Sequence, residues 1–352
     1  MKRALVLAGG GSRGAFQIGM LRELVINQGL DFDVIRGVSV GALNAAFLAQ
    51  AATAGNSLKN LQKRVEQLHK VWASEIRGNS SIYKEKGGFA GLAAGANSIY
   101  TLVPLRRLIK KHLAVEALRT SGRDFAVGAV SLVSGRYKEW SPDDARFIER
   151  VIASASIPVV FPYADFPSER DAFVDGGVRN ITPLSSVFHT KPDEIFVLLT
   201  SRLIMHGNIF PESTAKEGIY EDWRDNKLGT RVNGIDVMKR TALLLTDEIY
   251  LDDIRSALRW NSVAQGVQEL QTLAATPGNL SARAAEVVNE LSRRLMQANK
   301  HPANICVLAP RIWFGKENAS TEFSPKLIKE AIAHGEEVAK NHALWVWPRN
   351  AN

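Results

Sequence analysis

Gly37-Val38-Ser39-Val40-Gly41 stands between an apolar run, Phe32 to Val38, and an alanine-rich one, Ala42 to Ala52. Gly-x-Ser-x-Gly where a strand turns into a helix is the pattern of a nucleophile elbow. It drives a serine hydroxyl out at the tip of a sharp turn, within reach of a carbonyl carbon. Glycine and serine are common loop residues, so the meaning of the pentapeptide rests on its surroundings. Upstream, Ala4 to Ala8 reads as a short buried strand and Gly9-Gly10-Gly11-Ser12-Arg13-Gly14 as a turn. Ala15 to Gln28 reads as a helix with Ile18, Leu21, Leu24 and Val25 at helical spacing and Gly29 as its stop. The first fifty residues thus read strand, glycine turn, helix, strand, serine elbow, helix. That alternation predicts an α/β fold with a mostly parallel sheet covered on both faces. Ligands then gather at the carboxyl ends of the strands, where both turns lie.

Further along, Leu58 to Ile76 reads as a helix and Gly87 to Asn97 as a mobile Gly/Ala-rich loop. Val103 to Leu113 reads as a basic amphipathic helix carrying Arg106, Arg107, Lys110 and Lys111. Strands are expected at Phe125–Leu132, Tyr137–Trp140, before Asp175 and at Glu194–Thr200, with a helix at Phe147–Ala155. From about 203 to 300 the chain is helical and poor in strand signals. Ile305–Ala309 and Pro325–Ala339 then supply one more strand and a closing helix.

The chain has 352 residues, 45% hydrophobic and 23% charged, which is ordinary globular usage and enough for a full core. Its formal charge of +8 suits anionic partners, phospholipid surfaces among them, as well as plain solubility. No Lys/Arg block interleaved with aromatics follows a nucleic-acid backbone, so no nucleic-acid partner is expected. With Cys306 alone, no intramolecular disulfide forms. The opening Met1-Lys2-Arg3 and short apolar run look like the start of a signal peptide, but the run is too short and enters the glycine cluster. No apolar stretch is long enough to span a bilayer. A cytoplasmic protein is expected, peripheral at a membrane at most.

Gly9, Gly11 and Gly14 admit three readings. They satisfy Gly-x-Gly-x-x-Gly after a strand and before a helix, the fingerprint of a dinucleotide-binding oxidoreductase using NAD(P) or FAD, with Asp31 or Asp33 as its acidic residue. They equally suit an oxyanion hole, in which clustered N–H groups point at one spot and the following helix adds its partial positive charge. The third reading is a tight turn that needs glycine. Arg13 adds a cation or braces the loop.

A serine nucleophile needs a proton acceptor within hydrogen-bond reach. None of the seven histidines stands in a glycine-rich or strand-end setting. His189 is the best placed of them, following Asp175 in Ser…Asp…His order, and it reads as part of a surface helix. The carboxylate of Asp175 is the other candidate. It closes the run Ala172-Phe173-Val174 and precedes Gly176-Gly177, which lets the backbone turn sharply. Such an aspartate also serves as a cap or an Asx turn.

Four separated motifs, in order and spacing, resemble the patatin-like phospholipase family. Gly9 to Gly14 resembles its glycine-rich oxyanion loop, arginine included, and Gly37 to Gly41 its nucleophile elbow. Ala153-Ser154-Ala155-Ser156-Ile157-Pro158 with Val159-Val160-Phe161-Pro162 is similar to its segment ahead of the acid, and Asp175-Gly176-Gly177 to its Asp-Gly-Gly/Ala motif. The likeness is strong over residues 1–202 and returns weakly at 303–340.

The resemblance implies a three-layer α/β/α core at 1–202, a helical insertion or cap at 203–300 and a return to the core at 301–352. It implies a lipid acyl hydrolase of the phospholipase A or lysophospholipase type. Ser39 would be the nucleophile and Asp175 the base, with Gly9, Gly10, Gly11, Arg13 and Gly14 around the oxyanion hole. Gly37, Gly41, Gly176 and Gly177 would give the turns their shape. Ser154 and Ser156 would shape their loop and cap a helix. No metal or cofactor is implied, and the partner is a phospholipid or other acyl-ester lipid. The other functional readings are the oxidoreductase and a catalytically silent lipid-binding protein.

Overall fold

The computed structural model describes residues 1–202, 234–275, 281–296, 301–312, 321–342 and 346–347. Among the described residues, nine strands form the main sheet: β1 (Arg3–Leu7), β2 (Val34–Val38), β3 (Asp124–Ser131), β4 (Tyr137–Trp140), β5 (Ala164–Phe166), β6 (Asp171–Asp175), β7 (Glu194–Leu198), β8 (Asn304–Leu308) and β9 (Val346–Trp347). Their order is β9-β8-β7-β1-β2-β3-β6-β5, with β4 also paired to β3. The strands β8, β7, β1, β2 and β3 run parallel. Antiparallel pairs finish both edges.

The helices include α1 (Gly14–Leu21), α2 (Val40–Leu48), α3 (Ser57–Lys70), α4 (Val103–His112), α5 (Phe147–Ser154), α6 (Leu184–His189), α7 (Gly234–Ala275), α8 (Ala282–Met296) and α9 (Pro325–Ala339); further short ones stand at Gly88–Ala93 and Val115–Arg119. Alternation along the strands decides which face each residue covers. Leu5 and Leu7 of β1 join the core under α1, α2, α3, α4, α5 and α9. Ala4 and Val6, the residues between, join a second core with Leu184 and Phe188 of α6 and Tyr250, Leu251, Ile254 and Leu258 of α7. The result is three layers, α/β/α. The helix α7 supplies much of the third layer by burying its own apolar face against the sheet.

Two helices come into backbone contact. A Cβ added to Gly19 of α1 would lie 1.9 Å from the Ile332 carbonyl oxygen, and one added to Gly335 of α9 would lie 2.2 Å from that of Phe16. Arg22, just past α1, also pairs with Glu336 of α9.

Element positions agree closely with the expected ones, with instructive differences. The helix that begins as α1 continues through Arg22–Asn27 with π-type bonding, and α3 continues likewise through Val71–Glu75. The segment read as a mobile loop at 87–97 contains a helix, Gly88–Ala93, because alanine favours helix where glycine permits a turn. Of the helical stretch at 203–300, residues 203–233, 276–280 and 297–300 lie outside the described residues. Asp31 and Asp33 precede β2, and the backbone N–H of Arg3, the first residue of β1, donates to Asp33 Oδ2 at 2.9 Å. They therefore stand at the amino ends of the strands, opposite the glycine loop, which follows the carboxyl end of β1. A dinucleotide ribose held at that loop has no acidic partner in either of them. Among the described residues, no helix is long and apolar enough to cross a membrane.

Candidate active site

The sheet register brings the two key loops together. Val38, the last residue of β2, stands opposite Gly128 of β3, and Asp175, the last residue of β6, stands opposite the next residue, Ala129. Two strands of opposite direction thus deliver their carboxyl ends to one point of β3. Ser39 follows one of these ends and Asp175 closes the other.

Ser39 adopts φ 57° and ψ −129°, a strained conformation for a residue with a side chain and the one a nucleophile elbow requires. Close packing explains the two glycines around it. A Cβ on Gly41 would lie 2.0 Å from the Leu7 carbonyl oxygen, and one on Gly37 would lie 2.4 Å from that of Gly41. The elbow is therefore pressed onto the end of β1. The backbone N–H of Ser39 donates to Ser154 Oγ at 3.0 Å. The helix α2 starts at the next residue, so its positive N-terminal end lies beside the serine.

Asp175 is buried, with 4% of its surface exposed. Its Oδ1 accepts the N–H of Gly177 at 2.7 Å, and its backbone N–H donates to the Ser156 carbonyl at 2.9 Å. Burial pushes its carboxyl up to about 7, while the Ser39 hydroxyl and the Gly177 N–H pull in the other direction. Its Oδ2 is buried with no hydrogen bond of full geometry. The Ser39 hydroxyl stands near enough to the carboxyl to hold it below the value that burial alone would give. Among the described residues no histidine bonds to either side chain. His189 is exposed at the end of α6, and the His112 ring bonds to Glu75 Oε2 at 3.0 Å.

The glycine loop faces the same point. Gly10 has φ 148°, and a Cβ on it would lie 1.9 Å from Thr200 Oγ1, so only glycine fits. Among the described residues, no hydrogen bond takes up the N–H of Gly10 or Gly11. Gly9 lies against the elbow: a Cβ there would be 3.1 Å from Ser39 Cβ. Gly14 opens α1 against Val40. Arg13 is turned to the end of β7, where its Nη1 donates to Ser201 Oγ at 3.1 Å, so it braces the loop. Gly176 packs on Gly128 and Val38, and Gly177 sits between Asp175 and Ile181.

An apolar cavity runs from Ser39 and Gly11 between helices α2, α3, α4 and the loop after α5. Its walls include Leu43, Phe47, Trp72, Leu105, Ile109 and Phe161. The amphipathic helix α4 therefore turns its apolar side to this cavity. Arg107, Lys110 and Lys111 are exposed on its other side, Lys111 paired with Glu75 at 2.7 Å. An acyl chain fits such a lining; a charged cofactor does not.

Three further residues touch the site and carry no motif. Thr200 Oγ1 and Tyr250 Oη both donate to the Gly9 carbonyl, the latter at 3.1 Å. Asp253 Oδ2 accepts the N–H groups of Ile181 and Thr182, each at 2.9 Å, and burial pushes its carboxyl up to about 7. Tyr250 and Asp253 lie one helical turn apart on α7. The only sequence trace of this is a tyrosine and an aspartate at i and i+3 in a helix whose register cannot be tied to residues 9 and 181.

The family model described as patatin-like phospholipase matches residues 5–188, just over half of the chain. In shape the chain is similar to VipD from Legionella pneumophila, with 13% identity, a TM-score of 0.38 and coverage of 97% of this chain and 66% of that one. It is also similar to a structure of full-length SpcU in complex with full-length ExoU from the type III secretion system of Pseudomonas aeruginosa. That likeness has 14% identity and a TM-score of 0.29, with 85% of this chain and 69% of that one covered. The chain spans just under two thirds of the VipD chain. At these scores neither likeness bears on activity. No curated protein matches the chain.

Proposed function

The chain belongs to the patatin-like phospholipase family, and from that premise we propose that it hydrolyses acyl esters of phospholipids or lysophospholipids through a Ser39–Asp175 dyad. The observation that carries the reading is the buried Asp175 carboxyl with its unclosed Oδ2, beside Ser39 at the mouth of an apolar cavity.

In the first half-reaction Asp175 takes the Ser39 hydroxyl proton as Ser39 Oγ bonds to the ester carbonyl carbon. The carbonyl electron pair moves to oxygen, and the N–H groups of Gly10 and Gly11 receive that charge. The tetrahedral adduct collapses to an acyl-serine, and Asp175 returns its proton to the departing lipid alcohol. In the second half-reaction Asp175 takes a proton from water, the hydroxyl attacks the acyl-serine, and fatty acid leaves as Ser39 regains its proton. A base whose pKa lies near 7 suits both directions of transfer at neutral pH. The acyl chain lies among Leu43, Phe47, Trp72 and Ile109.

The division of the chain that accompanies this reading is a catalytic core at 1–202, a helical insertion at 203–300 and a returning segment at 301–352. The test is fatty-acid release from a panel of phospholipids and lysophospholipids without added calcium. Ser39→Ala and Asp175→Asn are each expected to lower it by roughly 10⁴-fold or more, as loss of a nucleophile or its base does in serine hydrolases. Full activity in either variant, with the fold intact, rejects the dyad.

A further inference from the structure

We propose that Tyr250 and Asp253 of α7 are positioning residues for this hydrolysis, clamping the glycine loop and the loop after Asp175 into one rigid unit; the proposal rests on the Ser39–Asp175 reading. The argument begins with the peptide plane. The carbonyl of Gly9 and the N–H of Gly10 belong to one planar trans unit and point in opposite directions. Whatever fixes the first aims the second. Tyr250 Oη donates to that carbonyl at 3.1 Å and accepts the Thr200 N–H at 2.9 Å, so the phenol ties the glycine loop to the end of β7.

The other side of Gly9 is held through Asp253. Gly9 N–H donates to the Ile181 carbonyl at 3.2 Å. Ile181 and Thr182 in turn donate their own N–H groups to Asp253 Oδ2 at 2.9 Å. The side chain of Ile181 fills the space between Gly9 and Gly177. A closed circuit results, from Gly9 through Tyr250 along one helical turn to Asp253, on to Ile181 and back to Gly9. Gly10 and Gly11 follow Gly9 directly in the chain, and Gly177, whose N–H bonds Asp175 Oδ1, packs against Ile181.

A helix that merely covered the sheet would place apolar side chains at these positions, as it does at Leu251, Ile254 and Leu258. Burying a carboxyl there is unfavourable unless its bonds are needed. Tyr250 and Asp253 also lie outside the region matched by the family model, residues 5–188. The clamp is therefore a contribution of this chain's own third layer.

The test compares wild type with Tyr250→Phe, Asp253→Ala and Asp253→Asn. The asparagine keeps an oxygen that accepts both N–H groups. The probes are p-nitrophenyl butyrate hydrolysis, fluorophosphonate labelling of Ser39 and amide hydrogen exchange over residues 9–11 and 176–182. Tyr250→Phe and Asp253→Ala are expected to lower kcat by roughly 10- to 100-fold, the range for displaced catalytic groups, with KM unchanged. Exchange at Gly9, Ile181 and Thr182 quickens in Asp253→Ala, and Asp253→Asn restores both readouts towards wild type. Unchanged kcat in Tyr250→Phe and Asp253→Ala, despite quickened exchange in Asp253→Ala, overturns the proposal, as does a rise in KM alone. If Asp253→Ala fails to fold, unchanged kcat in Tyr250→Phe alone is sufficient to overturn it. Absence of fluorophosphonate labelling at Ser39 in wild type instead rejects the underlying dyad, so the two failures are told apart.

Discussion

The backbone N–H of Ser39 donates to Ser154 Oγ at 3.0 Å across 115 residues of chain, deep in the protein. Two residues further on, the Ser156 carbonyl accepts the Asp175 N–H at 2.9 Å. One short segment at the end of α5 thus holds the backbone of both Ser39 and Asp175, and each of its two serines sets where one of these residues stands.

Ser154→Ala leaves the buried Ser39 N–H without a partner, at about 1–3 kcal/mol of stability. Activity is expected to fall by roughly 10- to 100-fold as the strained elbow relaxes. Thermal unfolding and kcat, measured together, check this. Unaltered kcat refutes the positioning role of Ser154.

The pH profile follows from Asp175. The base acts when ionised and its pKa is raised to about 7, so kcat/KM is expected to rise with pH through about 7. Asp253 is raised to a similar value by burial, so the same profile is measured in Asp253→Asn, where the limb persists. A limb in the ordinary carboxylate range contradicts the assignment.

Stability carries the opposite sign. The folded-state pKa of Asp175 exceeds its unfolded value of 3.8, so the unfolded chain loses this proton first as pH rises. Stability is lost between about pH 4 and 7, and the loss is complete above 7. Asp175→Asn removes the burden. Its melting temperature is expected to exceed that of wild type by a margin that widens from pH 4 to 7 and then levels off.

Glycine substitutions separate close packing from open space. Gly41→Ala puts a methyl group 2.0 Å from backbone that has no room to move, so it destabilises by on the order of 1–3 kcal/mol or more and abolishes activity. Gly266→Ala in α7 meets nothing within 4 Å and raises stability by about 0.5–1 kcal/mol through helix propensity. Denaturant unfolding of both variants reads the contrast.

Ile109→Trp adds bulk to the wall that α4 gives the cavity. It is expected to raise KM for long-chain esters several-fold and leave short-chain esters nearly unaffected. Equal effects on both chain lengths argue against an acyl site here.

The parts of the site legible in the sequence are those whose backbone demands particular residues. The elbow needs Gly37 and Gly41 because chains touch there, and the glycine loop needs Gly10 because of its φ. Such demands leave a pattern that can be recognised without coordinates. The strands and buried helices were legible for a similar reason, since their apolar spacing is local. Tyr250, Asp253 and Thr200 were not legible. Each acts by a side-chain bond to a backbone group almost 200 residues away or more in two of the three cases, and short of 100 in the other. Nothing in their immediate neighbours marks them. The two-residue strand β9 and the short β5 escaped for want of enough residues to show alternation.

The backbone contact of Gly19 with Ile332 bears on biosynthesis. The helix α1 emerges early, but the surface that covers it is the last described helix, and the pairing of Arg22 with Glu336 spans 314 residues. A nascent chain short of α9 displays Phe16 and Met20 to water, an invitation to chaperones and to aggregation. Contacts of such sequence separation close slowly. The Ser39 half of the sheet therefore gains its final cover only once α9 has been made, which holds back maturation of the site until then.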